Sequence, residues 1–333
     1  MRVLLAAILA SAAVLMAPGQ TPLPEHKALL AQARAALQAG EADRALALLT
    51  PLTASTGRSI EQRELAEAHN LACRVFLTLE RWDRAAAECE QAVRYDGVDS
   101  NDHLWLGRAL GERAQRASFL NAYSLGKRVR MEFEEAARLD PRNAEALADL
   151  GDFYVQAPGI VGGGTAKAES VAAQLDRLDP ARAIELRAKI AEQRKDYGTA
   201  EREIKQAVAV GAHPAFQWVG LAGYFRRRER WAEMESAVQS AARAAERDRS
   251  ACVALFGGAE ILLHTDRDAA LAAKMIEGYL ASPVKSEEAP AFVAHLELAR
   301  LKDRLGDPAA AQRERNAAQA LAHDYRMTQD SRH

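Results

Sequence analysis

Small side chains recur along this chain at a spacing that few folds accommodate. Ala33, Cys73, Gly107, Gly151, Ala188, Ala222, Gly257 and Ala299 each lie on an apolar stripe of helical period, separated by steps of 40, 34, 44, 37, 34, 35 and 42 residues. The clearest copy runs from Pro214 to Glu246. There Trp218, Leu221, Ala222 and Phe225 line one face of a helix, and Met234, Ala237, Val238 and Ala241 line one face of a second. Antiparallel helices approach closely only where a side chain ends near Cβ, which Ala222 and Ala241 supply. Such a hairpin covers one apolar face internally and leaves another for its neighbour, so the repeat implies a stack with one continuous core. A length of 333 residues therefore does not divide into two independent domains.

The spacing Trp218-x2-Leu221-Ala222-x2-Phe225, with Trp231 opening the second helix, resembles the tetratricopeptide (TPR) signature. The resemblance implies an all-α, right-handed superhelical solenoid of about eight helical hairpins. They occupy residues 26–57, 61–97, 100–141, 143–180, 181–211, 214–246, 250–283 and 290–324. Gly257, Ala269 and Ala273 are the expected seam residues of the seventh unit, whose register is open by one residue.

Two units depart from the period. Gly107 and the exit proline Pro141 are 34 residues apart, about ten more than the repeat requires. No proline and only Gly111 and Gly126 intervene, so both helices of the third unit are expected to lengthen by a turn or more. In the fourth unit Ala157 to Gly164 replaces a short turn, and Thr165 is expected to cap the following helix. Gly159, Ile160, Val161, Gly162, Gly163 and Gly164 share the Gly-x4-Gly spacing of a phosphate-binding loop. Thr165 stands where that loop needs lysine, however, and no strand precedes it. The alternatives are glycines required for positive φ, with Ile160 and Val161 packed on the neighbouring hairpin, and a loop that docks a partner.

Arg2, the apolar run Val3 to Ala17 and the small residues Ala17-Pro18-Gly19 have the order of a cleavable secretory signal at 1–19, followed by a linker at 20–25. A run this short falls below the roughly 20 residues of a spanning helix, so no stable membrane insertion is expected after cleavage. The expected location is periplasmic or secreted, with an N-terminal membrane anchor as the alternative. Residues 326–333 form a polar tail. Cys73 and Cys89 fall on facing helices of one hairpin, either as a disulfide or as small buried apolar residues, and Cys252 is left over.

A net charge of −2 and 6% aromatic residues give no global field or stacking platform for nucleic acid. The eight histidines are isolated, no metal-ligand spacing or nucleophile motif appears, and neither cofactor nor catalysis is expected. The TPR resemblance implies that first helices line a concave groove whose exposed side chains select a protein or peptide partner. The residues after the small positions are Arg34, Arg74, Arg108, Asp152, Lys189, Gly223, Gly258 and Arg300, with Arg226, Arg227 and Arg304 a turn further on. One reading is a basic groove for an acidic or carboxylate-ended segment, and the other is a solvated helix face. The carboxylate-clamp pattern of Asn and Lys is not reproduced.

Lys127 to Pro141, followed by Leu150-Gly151-Asp152-Phe153-Tyr154, resembles the central part of the regulator of microtubule dynamics family. That family has an extended hairpin in a TPR-type array, and some members are implicated in lipid binding. The resemblance implies, as an alternative function, a pocket for a lipid or other apolar ligand near Phe119, Leu120, Tyr123 and Leu125, unless these residues pack into the core.

Overall fold

The computed structural model describes residues 25–54 and 60–325. The expected signal segment, the linker up to Pro24, residues 55–59 and the tail from Arg326 lie outside the described residues. Among the described residues there is no β-strand, and sixteen α-helices pair as eight antiparallel hairpins. These are α1 (Glu25–Ala39) with α2 (Ala42–Thr53), α3 (Gln62–Thr78) with α4 (Trp82–Tyr95), and α5 (Ser100–Arg116) with α6 (Phe119–Leu139). Then follow α7 (Ala144–Gln156) with α8 (Thr165–Leu175), α9 (Pro180–Gln193) with α10 (Tyr197–Val210), and α11 (Pro214–Arg227) with α12 (Trp231–Arg247). The last two pairs are α13 (Val253–His264) with α14 (Ala269–Ala281), and α15 (Ala291–Arg304) with α16 (Pro308–Leu321).

Local chemistry punctuates the helices. Asp179 and Asp307 accept a backbone N–H of the first turn, and Pro180 and Pro308 occupy the first helical position, where the missing N–H costs nothing. The short turn inside six hairpins passes through a left-handed residue, at Gly40, Glu80, Lys195, Glu229, Asp266 and Gly306, and the longer α7–α8 connection does so at Gly162. The seams need small residues: a Cβ on Gly107 would lie 2.5 Å from the Phe133 ring, and one on Gly258 would lie 2.5 Å from Met275 Cε. The seventh unit therefore has Gly258 at its internal seam, one residue later than Gly257, which faces Val219 of α11 instead.

The surplus of the third unit is taken up as helix. α5 and α6 run 17 and 21 residues, joined only by Ala117 and Ser118. A recurrent histidine–glutamate pair locates the extra length. His69–Glu88 in α3–α4 and His295–Glu314 in α15–α16 are 19 residues apart, whereas His103–Glu132 in α5–α6 are 29 apart. The insertion therefore lies wholly between His103 and Glu132. Beside this pair, Asn70 Nδ2 donates to Asp102 Oδ1 at 2.6 Å between buried side chains of α3 and α5. Burial, with Asp99 and Asp96 nearby, pushes the Asp102 carboxyl up to about 7. Cys73 and Cys89 form a disulfide joining α3 to α4, their Cα atoms 5.2 Å apart, and Cys252 is a buried free thiol.

The two ends of the array touch. The backbone at Gly40 abuts the start of α15, so close that a Cβ there would lie 2.5 Å from the Ala291 nitrogen. Tyr325 donates its hydroxyl to Glu80 at 2.9 Å and packs its ring edge-on against Phe292, and the His323 N–H donates to Asp43 at 2.8 Å. The segment between α14 and α15 crosses to the second hairpin, where Glu287 accepts both Nε and Nη2 of Arg74. One buried apolar cluster consequently runs from Ala188 to Ala322 and on into Leu30 to Val75, while a second joins Cys73 to Ile190.

Two outcomes follow from this packing. The folded state holds a proton on Asp102 between about pH 4 and 7 that the unfolded chain lacks, so that stabilisation is full below about 4 and is lost as pH rises through about 7. Asp102→Asn, which keeps an acceptor for Asn70, should flatten the pH dependence of the urea midpoint and stabilise at pH 8 by something on the order of 2 kcal/mol. Glu287→Ala should cost about 1–3 kcal/mol and raise amide exchange in the second and last hairpins together. Faster exchange confined to α15 would show that closure does not couple the ends.

Candidate functional site

The two departures from the repeat meet in space. The lengthened α6 runs past its neighbours, and the loop after α7 folds onto it as a single 3-10 turn at Gly159–Val161. Gly126 makes the contact possible, since a Cβ there would stand 3.3 Å from Val161 Cγ1. Gly162 has φ +100°, and its Cα side is filled by the Arg130 guanidinium; a Cβ on Gly163 would run into the Ala157 carbonyl. Between α5, α6, α7 and this loop lies a groove of about 550 Å³. Val129, Phe133, Phe153 and Val161 supply apolar lining, the more exposed Phe119, Tyr123 and Ile160 border it, and Asp149 and Asp152 add carboxylates.

The loop differs from the sequence expectation in two places. Thr165 is the first helical residue of α8 and makes no cap; Gly164 holds the cap position, and Thr165 Oγ1 instead accepts from Arg194 at 3.0 Å. Val161 is buried as expected, but Ile160 is 64% exposed at the border of the groove. The consecutive N–H groups are also used internally. Val161 and Gly163 donate to the Pro158 carbonyl, Gly162 to Gly159 and Gly164 to Tyr154, so no cradle for an anion is left. Phe119 and Leu120 are 77% exposed and lie outside the core, whereas Leu125 packs partly against it.

The charged positions of the first helices form a ladder between successive hairpins. Arg34 of α1 pairs with Glu67 of α3, and Arg108 of α5 reaches Asp149 at 2.6 Å and Glu145 at 2.8 Å on α7. Lys189 of α9 holds Asp152 of α7 at 2.6 Å, and Arg227 of α11 forks onto Glu192 of α9 at 2.9 and 2.8 Å. Arg304 meets Asp266, and Arg300 lies 3.6 Å from Glu297 of its own helix. Arg226 is half-buried with no hydrogen-bond partner for its Nε. Arg74 and Arg108 both place their guanidinium groups over the Trp105 ring, at 4.7 and 4.4 Å from its centre. The Arg108 charge is held against the opposing effect of burial by its bond to Asp149. The ladder's cations are already matched, so charge reversal at Arg108 would set three carboxylates together and would register as lost stability before it reported on any partner. The matching acids fall 33 to 41 residues from their cations, a periodicity that tracks the repeat. Among the described residues no cluster of three potential metal ligands occurs.

No protein-family model and no curated protein matches the chain. Solved structures do. Yeast Tom70 superposes with a TM-score of 0.58 at 15% identity, over 93% of this chain and 63% of Tom70. A thermophilic TPR protein of Thermus thermophilus aligns at 17% identity and a TM-score of 0.49, over 60% of this chain and 98% of that one. A TPR protein of Parabacteroides merdae aligns at 13% identity and 0.46, over 84% and 98%. The architecture is the TPR-type all-α solenoid, built on hairpins whose seams and turns are described above.

Gly163→Ala should detach the loop from α6, because its Cβ has no space beside Ala157. The measurable outcome is faster amide exchange over residues 157–164, with the remaining hairpins unchanged.

Proposed function

We propose that this chain is a non-enzymatic interaction scaffold of the cell envelope or extracellular space. In this reading it holds a peptide or partner protein on the face of its first helices, and the apolar groove beside the extended hairpin is the principal contact. The observation that carries the reading is that the two irregular segments of an otherwise periodic chain converge on one preformed groove. Asp149 and Asp152 belong to both that groove and the charged ladder. Long ordered insertions in compact repeats are uncommon without a use. The partner's apolar side chains are expected to fill the groove, with its charged groups exchanging against the ladder's ion pairs at the rim. The signal-like order expected of residues 1–19 and the Cys73–Cys89 disulfide support an oxidising compartment.

A second reading, a carrier of a lipid or other apolar ligand, is favoured by the groove's lining of Val129, Phe133, Phe153 and Val161 and by a volume suited to a small molecule. Mass spectrometry of the protein purified from its native envelope, under native and denaturing conditions, separates the two. A co-purifying polypeptide retained by the wild type and weakened about tenfold or more by Ala122→Trp, which fills the groove, supports the scaffold. A small mass released on unfolding and excluded by the same substitution supports the carrier. A polypeptide whose retention ignores Ala122→Trp removes the groove from the function.

A further inference from the structure

The apex of the third hairpin carries apolar surface beyond what the groove encloses. Phe119 and Leu120 stand next to each other immediately after a two-residue turn, both 77% exposed, with Tyr123 one turn below. Phe119 and Tyr123 also line the rim of the groove, whereas Leu120 does not, and at this exposure Phe119 and Leu120 leave most of their apolar surface as a wedge at the tip of a hairpin longer than its neighbours. Residues 113–130 also hold Arg113, Arg116, Lys127, Arg128 and Arg130 and no Asp or Glu, in a chain whose net charge is −2. Four of these cations have carboxylate neighbours, and all four carboxylates sit away from the apex. Glu112 and Glu134 lie one helical turn nearer the base of the hairpin, 2.8 Å from Arg116 and 3.7 Å from Arg130. Asp83 and Glu90 belong to α4, 2.9 Å from Arg113 and 3.0 Å from Arg128. Solvent-facing pairs of this kind are weak, and their long side chains can turn toward another anion without unfolding anything. Lys127 rests over the Tyr123 ring at 4.3 Å, below the wedge.

We propose that this apex docks the protein peripherally on an anionic membrane surface. Phe119 and Leu120 enter the boundary between headgroups and acyl chains, Tyr123 sits at headgroup level, and Arg116, Lys127 and Arg128 meet lipid phosphates. Neither half is strong alone. A wedge of two side chains gives shallow, reversible insertion, and the cation collar supplies the second attraction that stable peripheral binding needs. Among the described residues no helix is long and apolar enough to cross a membrane, so the contact is one of surface docking.

The test is co-sedimentation of the full chain with vesicles of phosphatidylcholine plus phosphatidylglycerol and with vesicles of phosphatidylcholine alone. The wild type should bind the mixed vesicles, with affinity falling as salt rises. Phe119→Asp with Leu120→Asp should weaken binding about tenfold or more, and Lys127→Glu or Arg128→Glu by roughly fivefold per unit of charge removed. Phe119→Trp provides an independent reading: brominated lipid should quench its fluorescence beyond the loss seen in the wild type. Absence of binding to the mixed vesicles, or binding that ignores the Asp pair, overturns the proposal. Loss of a co-purifying polypeptide in the Asp pair while vesicle binding stays unchanged overturns it too, and assigns the wedge to a protein partner.

Discussion

The close approach of helices at the seam positions is the constraint on which the rest depends, because a hairpin can bury only part of its apolar surface internally. Gly107 lies under the Phe133 ring and Gly258 under Met275 with no space for another carbon. At those distances the facing stripes interlock, and the outer stripe of each first helix is left to the next hairpin. The array then has no natural stopping point. Most repeat arrays end in a polar capping helix; this one ends where the face of the last hairpin meets the face of the first, around Gly40, Ala291, Phe292 and Tyr325.

How much of this could be read from the amino acids differs by element for physical reasons. The hairpins were legible because apolar period and repeat period are local properties that survive sequence divergence, as at Trp218, Leu221, Ala222 and Phe225. The choice between Gly257 and Gly258 was not, because both are equally small and only the packing of Met275 separates them. The extra length of the third unit was readable as helix from the absence of proline. Where it points, and that Val161 settles on Gly126, depends on how α6 and the loop after α7 pack against each other. Contact between the ends was illegible for a further reason: it sums a small rotation at every hairpin, and no single unit encodes that sum.

The charged positions teach the same lesson from the other side. Arginines one residue past the seam suggested a basic groove, and taken alone they are one. The sequence also holds their counterparts, Glu67 for Arg34 and Asp149 for Arg108, and a turn further on Glu192 for Arg227, but only the stacking of hairpins pairs them. A first helix offers cations and anions at neighbouring positions, and stacking in register aligns them into pairs that favour the correct hairpin spacing over a slipped one. In the proposed function, selectivity for an outside molecule falls to the places where the register breaks, which are the extended hairpin and the loop that covers it.

Contact between the two ends also bears on how such a chain can evolve. An open array gains or loses whole repeats by duplication with little penalty, since a new unit contacts only the unit before and after it. Here a ninth hairpin would have to part Ala291 from Gly40 and carry Glu287 away from Arg74. The copy number of the repeat is thereby fixed by geometry, and sequence change is channelled into lengthening individual hairpins and loops, the kind of change found at α6 and at Gly159 to Gly164.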